Sequence, residues 1–377
     1  MLTLDDLLTP ITPARFRSDY EGRKPLHIPA SAAAAKQAIL TWPCFNRLLS
    51  QTSIWTAASL KLVHDGVPIP TEHYCIEVQT QSGSVLRPSP ARVETLMAMG
   101  ASLIAGDAQD LTPEIQALSR ALGQTFAASV GANIYCSFGG VQAFGTHFDL
   151  HDVFAIQVEG EKTWNLYQNR ADSPVGFPVE DADAPRWMAE TRGPLMQTVH
   201  MRPGDVLYLP RGCYHDALAT EGASLHLTFS VTPLYGRILF RLLESAALQD
   251  PAFRAWLVPA MQEDGAPLAA QLADLGQRLA TLAATRAFRD EIAMAQERLV
   301  PRPTTYDLPR RKTLTLYRAT GLQIPAISGP TAGALEWALS QPQFALEDLI
   351  AQFDFVPEAA LRDAVDRHEH GGALKRL

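Results

Sequence analysis

The chain has 377 residues, of which 32 are Lys or Arg and 40 are Asp or Glu, a net charge of −8. That balance excludes a protein built to coat phosphate backbones or anionic membrane. With 47% apolar and 19% charged residues, global disorder is excluded too, and at about 150 residues per domain the length predicts two to three domains.

In chain order, the opening MLTLDDLLTP carries two aspartates and no early Lys or Arg, the wrong charge for a secretory signal. Residues 1 to about 232 mix short β-like runs with turn residues. NIYCSF (133–138), VFAIQV (153–158), TWNLY (163–167), MQTVHM (196–201), VLYLP (206–210) and SLHLTFSV (224–231) are rich in Val, Ile, Tyr, Phe or Thr. Short strands separated by turns, without alternating helices, predict an antiparallel sandwich or barrel. The stretch from Gln168 to Arg192, rich in Ala, Asp, Pro and Glu, reads as a long surface insertion.

Residues 235 to about 300 turn Ala- and Leu-rich. Leu268, Leu272, Leu275, Leu279 and Leu282 fall at spacings of 4, 3, 4 and 3, one apolar seam along a helix of about four turns. Such a seam packs inside a helical hairpin or, being narrow and Leu-only, against a second copy as in a coiled coil. PRPTTYDLPRRK (301–312) reads as a linker. Beyond it, ALEWALSQPQFALEDLIAQF (334–353) and VPEAALRDAVDRHEH (356–370) read as short helices around a turn, resembling a winged helix. Residues 301–377 hold nine basic and nine acidic side chains, so direct nucleic-acid binding is not expected. No run of about 18 apolar residues predicts a membrane span. Cys44, Cys75, Cys136 and Cys213 are scattered, with no CxxC pair, and read as reduced thiols of a cytoplasmic protein.

The chemistry concentrates in GTHFDLHDVFAIQVEGEKTWNLY (145–167) and GDVLYLPRGCYHDA (204–217). His147 and Asp149 sit two apart, so on an extended strand both side chains point to one face. His215 follows a Pro and Gly bend. One carboxylate and two imidazoles can occupy one face of an octahedral Fe(II), the mark of non-haem iron oxygenases. The open positions then suit a bidentate 2-oxo acid and dioxygen. An HxD alone is a weak signal. The spacing of Gly204, Pro210, Gly212 and His215 is more restrictive and follows the second cupin motif, with Ala219 where many cupins place an Asn. By itself Lys162, preceded by Glu159, Gly160 and Glu161, reads as a solvated turn lysine. His151 is expected at the pocket rim, His226 in the core or at the rim, and His368 with His370 in a solvated tail.

From about residue 10 to 232 the chain resembles a JmjC-type cupin hydroxylase. More narrowly it resembles the ribosomal oxygenases, which hydroxylate an Arg or His side chain on large-subunit ribosomal proteins. The resemblance rests on PLHIP (25–29), ANIYCSF (132–138), HFDLHDVFAIQVEGEKTWNLY (147–167) and PGDVLYLPRGCYH (203–215). It implies a mainly β catalytic domain, a double-stranded β-helix, over 1–232. An α-helical dimerisation region over 233–300 and a small winged-helix-like domain over 301–377 would follow. It implies His147, Asp149 and His215 as Fe(II) ligands and Lys162 as the cation for the distal carboxylate of 2-oxoglutarate. Asn133, Tyr135 and Ser230 match further contacts to that cosubstrate. Physics agrees for Lys162, because a buried dianion needs a cation at its far end. Phe144 brings an apolar wall where many relatives carry a hydroxylic residue.

The implied activity is that of a 2-oxoglutarate-dependent dioxygenase hydroxylating a polypeptide, with a basic ribosomal protein as the expected partner and a homodimer as the expected form. A JmjC demethylase shares the same ligands but needs a pocket for a methylammonium, which the sequence does not display clearly. A small-molecule cupin oxygenase and a non-catalytic cupin scaffold are compatible with the same fold. A scaffold has no chemical need for the triad together with Lys162.

Overall fold

The computed structural model describes all residues except 1, 31–35, 82, 139–143, 180–182, 220–221, 303–313 and 323–326. Most of the expected linker therefore lies outside the described residues. The chain divides into two compact units, Met1–Thr232 with Pro301–Thr304, and Pro233–Val300 with Thr305–Leu377.

The first unit is built on β1 (Leu26–Ile28), β2 (Leu60–His64), β3 (Val67–Pro68), β4 (Cys75–Thr80), β5 (Gly83–Pro88), β6 (Ser102–Ala105) and β7 (Ala128–Phe138). They are followed by β8 (Asp152–Glu159), β9 (Lys162–Arg170), β10 (Leu195–Met201), β11 (Val206–Leu209), β12 (Cys213–Ala219) and β13 (Ala223–Pro233). The large sheet runs β1-β11-β8-β13-β7-β6-β2-β3, a small one runs β10-β9-β12, and β4 pairs with β5. Pairing is antiparallel within β1-β11-β8-β13, β7-β6-β2-β3 and the small sheet. Helices α1 (Leu4–Leu8), α2 (Pro13–Asp19), α3 (Trp42–Ser50), α4 (Pro90–Ala98), α5 (Pro113–Phe126) and α6 (Ala184–Thr191) complete it. Thr12, Thr41 and Thr112 cap α2, α3 and α5 through their side-chain oxygens, each with a Pro in the first turn. The cap satisfies a free N–H and the Pro sits where no N–H is needed.

Strand alternation assigns each face of the large sheet. Phe154, Ile156 and Val158 of β8, Val206 and Tyr208 of β11, and Leu225, Leu227, Phe229 and Val231 of β13 pack on one side with Leu7, Leu8, Phe16 and α5. The intervening Val153, Ala155, Leu207 and Leu209 face the small sheet and meet Trp164, Leu166, Val199 and Met201. Period 2 thus fills two separate cores from the same strands.

Two local expectations need correcting. His147 and Asp149 do not lie on a regular strand: His147 makes an isolated antiparallel bridge to His215, and Asp149 sits in irregular chain. His215 lies in β12, just after the Pro and Gly bend, as expected. The insertion after Gln168 also carries structure, because β9 continues to Arg170 and α6 seats Met188 against Phe148 and Tyr214.

The second unit holds α7 (Ile238–Ala247), α8 (Ala266–Ala283) and α9 (Arg286–Glu297), then β14 (Leu316–Ala319), α10 (Ala332–Ser340), β15 (Phe344–Ala345), α11 (Leu346–Gln352), α12 (Glu358–His370) and β16 (Leu374–Arg376). The leucine seam lies on α8, where no residue is buried. The sheet β15-β14-β16 closes over a core of Tyr317, Leu335, Phe344, Leu349, Leu361 and Val365. His368 and His370 end α12 rather than a loose tail, each Nδ1 reaching a carbonyl one turn back. No helix among the described residues is long and apolar enough to cross a membrane.

Candidate metal centre

The inner faces of five strands, β7, β8 (through Val153), β9, β12 and β13, converge on one cavity of about 280 Å³. On β7, Ala132, Ile134 and Cys136 pack into the outer core, so Asn133 and Tyr135 turn inward to the cavity wall. On β13 the apolar series does the same, which brings His226, Thr228 and Ser230 to the wall. Lys162 and Trp164 come from β9, and His215 and Ala217 from β12. His147, Asp149, His151 and Phe144 supply the remaining side. All seven site residues expected from the sequence, Asn133, Tyr135, His147, Asp149, Lys162, His215 and Ser230, therefore line a single cavity.

One ligand atom each from His147, Asp149 and His215 lies within 4.8 Å of the others. His215 Nε2 is 3.6 Å from Asp149 Oδ2. The backbone zips these segments together. His147 N–H donates to His215 O at 3.0 Å, His215 N–H to His147 O at 2.8 Å, and Gly212 N–H to Asp149 O at 2.9 Å. Gly212 has φ +84°, and a Cβ there would lie 2.4 Å from Ala171 O, so the bend before β12 requires glycine. Both imidazoles place Nδ1 2.9 Å from a backbone oxygen, His147 against Gly145 and His215 against Cys213. Donation there fixes the tautomer that leaves the Nε2 lone pair for a metal.

The electrostatics favour the ligand forms. Burial pushes the Asp149 carboxyl up, but His147, His215 and His151 outweigh it and hold the group below its ordinary value. Burial, reinforced by His147, drives His215 down to about 4, so it is neutral at pH 7. Lys162 falls to about 8 through burial, opposed by the Cys136 thiol, which burial raises to about 12. His226 is held well below its usual range by burial and then by Lys162.

Lys162 Nζ reaches Ser137 Oγ at 3.5 Å, and among the described residues no carboxylate pairs with it. Trp164 Nε1 and His226 Nδ1, both buried in the same wall, have no hydrogen-bond partner among the described residues. A buried ammonium without a counter-ion and two orphaned polar nitrogens are costly unless a polar anion meets them. The residues present fit a divalent metal on the His–Asp–His cluster together with a carboxylate-bearing molecule near Lys162.

Trp164, Thr228 and His226 were not assigned to this wall by the motifs. Alternation was available as a signal: Trp164 stands two from Lys162, and Thr228 and His226 stand two and four from Ser230. His226 stacks on Tyr135 with centroids 4.7 Å apart and planes 7° apart. Phe144 meets Tyr135 edge-on at 6.3 Å and stands 5.9 Å from His147.

The family model described as JmjC domain matches residues 107–237. About a third of this chain is therefore similar to a JmjC domain. His147, Asp149, His215 and Lys162 all fall inside it. A bifunctional lysine-specific demethylase and histidyl-hydroxylase NO66 of Dictyostelium discoideum is 36% identical over 156 residues, 40% of this chain and 30% of that protein. Ribosomal oxygenase 1 of Rattus norvegicus is 35% identical over 146 residues, 38% of this chain and 24% of that one. The chain thus spans about a third or less of the length of these curated relatives. Among solved structures, YcfD, a ribosomal oxygenase from Escherichia coli, aligns over 98% of both chains with a TM-score of 0.54 and 16% identity. YcfD in complex with cobalt and 2-oxoglutarate aligns with a TM-score of 0.52. That likeness shows the fold alone: the antiparallel double-sheet framework described above is shared with YcfD.

Proposed function

We propose that the protein is an Fe(II)- and 2-oxoglutarate-dependent hydroxylase of a polypeptide, acting on an Arg or His side chain of a basic ribosomal protein. The observation that carries this reading is the His147–Asp149–His215 cluster sharing one cavity with a buried Lys162 that has no carboxylate partner among the described residues. Bound Fe(II) would supply oxidising power: dioxygen gives one atom to a substrate C–H and the other to 2-oxoglutarate, which leaves as succinate and carbon dioxide.

The chain's own residues do the rest. His147, Asp149 and His215 would hold the metal, with the Asp149 carboxylate offsetting part of its charge. Lys162 pairs with the distal carboxylate of 2-oxoglutarate, with Asn133, Tyr135 and Ser230 as polar neighbours along it. The Tyr135 ring is held by stacking on His226, and the Thr228 hydroxyl beside it donates to Asn133 O at 3.5 Å. Phe144, half-exposed beside His147, screens the reacting centre from water on the solvent side.

A net charge of −8 suits a basic polypeptide partner, and the relatives named ribosomal oxygenase and histidyl-hydroxylase support the substrate class. Beyond the catalytic region we take residues 233–300 as a dimerisation region and 301–377 as a winged-helix-like module. We place the working protein in the cytoplasm.

Two measurements test the reading. Purified protein with Fe(II) should convert 2-oxoglutarate to succinate, and Asp149→Ala should fall to the uncatalysed background; unchanged turnover in that variant would remove the ligand assignment. Mass spectrometry of ribosomal proteins from cells with and without the gene should show loss of a one-oxygen increment on one residue. Formaldehyde released from a methylated peptide, with no hydroxylated product, would favour the demethylase instead.

A further inference from the structure

Directly behind the metal centre, on the face of β12 turned away from the cavity, lies a polar cluster that no step above uses. Alternation sends His215 and Ala217 inward, so Asp216 points to the opposite side, 5% exposed. Its carboxylate is fully engaged. Oδ2 accepts from Thr146 Oγ1 at 2.9 Å and from the Tyr167 hydroxyl at 2.5 Å, and Oδ1 accepts from Asn165 Nδ2 at 2.9 Å. Arg192, at the end of α6, donates to Thr146 Oγ1 at 2.8 Å and to the Tyr167 hydroxyl at 2.7 Å. Its Nη1 stands 3.9 Å from Asp216 Oδ2, and its guanidinium lies over the Tyr167 ring at 4.4 Å.

The placement in the chain is what matters. Thr146 immediately precedes the ligand His147, and Asp216 immediately follows the ligand His215. The Thr146–Asp216 bond therefore adds a side-chain tie between the two ligand segments, one residue outside the backbone bridge His147↔His215. The segment around His147 has no strand of its own to hold it. Its position relative to β12 depends on the bridge, on the Gly212 N–H bond to Asp149 O and on this side-chain tie. Tyr167 and Asn165 anchor the carboxylate to β9, and Arg192 offsets its charge from outside, so the burial of Asp216 is compensated.

We infer that Asp216 and Thr146 are positioning residues of the metal centre, which set the separation and orientation of His147 relative to His215 without touching metal or substrate. The inference rests on the metal-site reading above. Supports of this kind typically change metal affinity about 10–100-fold when removed.

The experiment uses the full-length protein with Co(II) as the probe, read by titration and by its visible ligand-field spectrum. Wild-type binding is measured first; no Co(II) binding there would overturn the metal-site reading itself, before any variant is made. With binding established, Thr146→Val, which keeps the shape and removes the hydroxyl, should raise the Co(II) Kd about tenfold and alter the visible bands at saturation. Thr146→Ser should restore both. Asp216→Ala should show the larger loss of affinity. A network that merely stabilises the fold would lower the thermal midpoint and leave the saturated Co(II) spectrum unchanged. An unchanged Kd and spectrum in Thr146→Val would overturn the inference, whether or not Asp216→Ala folds.

Discussion

The unit Met1–Thr232 and the helical stretch Pro233–Val300 use apolar residues in opposite ways. In the first, the central strands β8, β11 and β13 are covered on both sides. Phe154, Leu227 and Phe229 disappear into the outer core, and even the inward polar residues Lys162, His215 and His226 are buried. In the second, Phe240 is 78% exposed, Trp256 96% and Met261 92%, and α8 buries none of its leucines. The first stretch completes its own core and devotes the inner face to chemistry. The second presents apolar surface that its own segment does not cover, the signature of an interaction face. A pattern of apolar spacing alone therefore does not say where the partner is; only the packing does.

The largest effect that would undo this contrast lies in the outer core. Phe229→Ala removes a ring that nothing can replace in a sheet packed on both faces, and unfolding should cost about 3–5 kcal/mol less than in the wild type. Denaturant titration checks it, and a change below about 1 kcal/mol would mean that the outer core is not the closed jigsaw described. On the inner face of the same sandwich the effect should fall on binding instead. Lys162→Met keeps the bulk and removes the cation, so 2-oxoglutarate should bind at least roughly thirtyfold more weakly, the loss of about 2 kcal/mol expected when a buried charge loses its partner. Stability should hold or rise, because an apolar side chain replaces a buried ammonium. Isothermal titration of the cosubstrate and thermal unfolding of the free variant separate the two readouts.

The inner face also carries a proton linkage. Lys162 has its proton affinity lowered to about 8 in the free protein, and the dianion binds its charged form. Below pH 8 the affinity for 2-oxoglutarate should be flat with respect to this group. Above pH 8 the free protein loses the proton first, so Kd should rise about tenfold per pH unit, until the higher value in the complex is reached. The sign for stability is the reverse. An unfolded lysine keeps its proton between pH 8 and its ordinary value of 10.5 while the folded one sheds it, so this group's contribution to stability grows as pH rises through that window. A Kd independent of pH from 7 to 10 would remove Lys162 from the cosubstrate site.

Much of the sandwich is legible in the residue order because strands buried on both faces show themselves as runs such as VFAIQV and VLYLP. The rest is hidden for identifiable reasons. The chain around His147 and Asp149 looks like strand, since HxD places both groups on one face of any extended segment, yet here only one bridge holds it. The strand β12 escapes notice because CYHDALA is short and mixed, and its pairing to β9 shifts register between Cys213 and His215. The helix α6 is masked by the Pro, Asp and Glu that flank it, and it is held by tertiary contacts of Met188 and Arg192 rather than by its own pattern. Asp216 carries no signal at all beyond its adjacency to His215. A buried carboxylate is recognised only when its donors, Thr146, Asn165 and Tyr167, come together around it in the fold.

The smallest expected effect on folding is also the one that tests the other side of the contrast. Phe240 on α7 and Leu272 on α8 are exposed, so Phe240→Asp and Leu272→Asp should change the unfolding free energy of an isolated chain by no more than about 0.5 kcal/mol. If a second copy covers this surface, the same substitutions bury charge in an apolar contact and should dissociate it, because an unpaired buried carboxylate is far costlier than a lost methylene. The expected result is a wild-type protein that sediments as a dimer and a double variant that sediments as a monomer at the same concentration. The variant should keep its turnover of 2-oxoglutarate, since none of the cavity-lining residues lies beyond Ser230. A monomeric wild type would assign the exposed leucines and aromatics to a partner of another kind, and a variant that stays dimeric would move the interface away from α7 and α8.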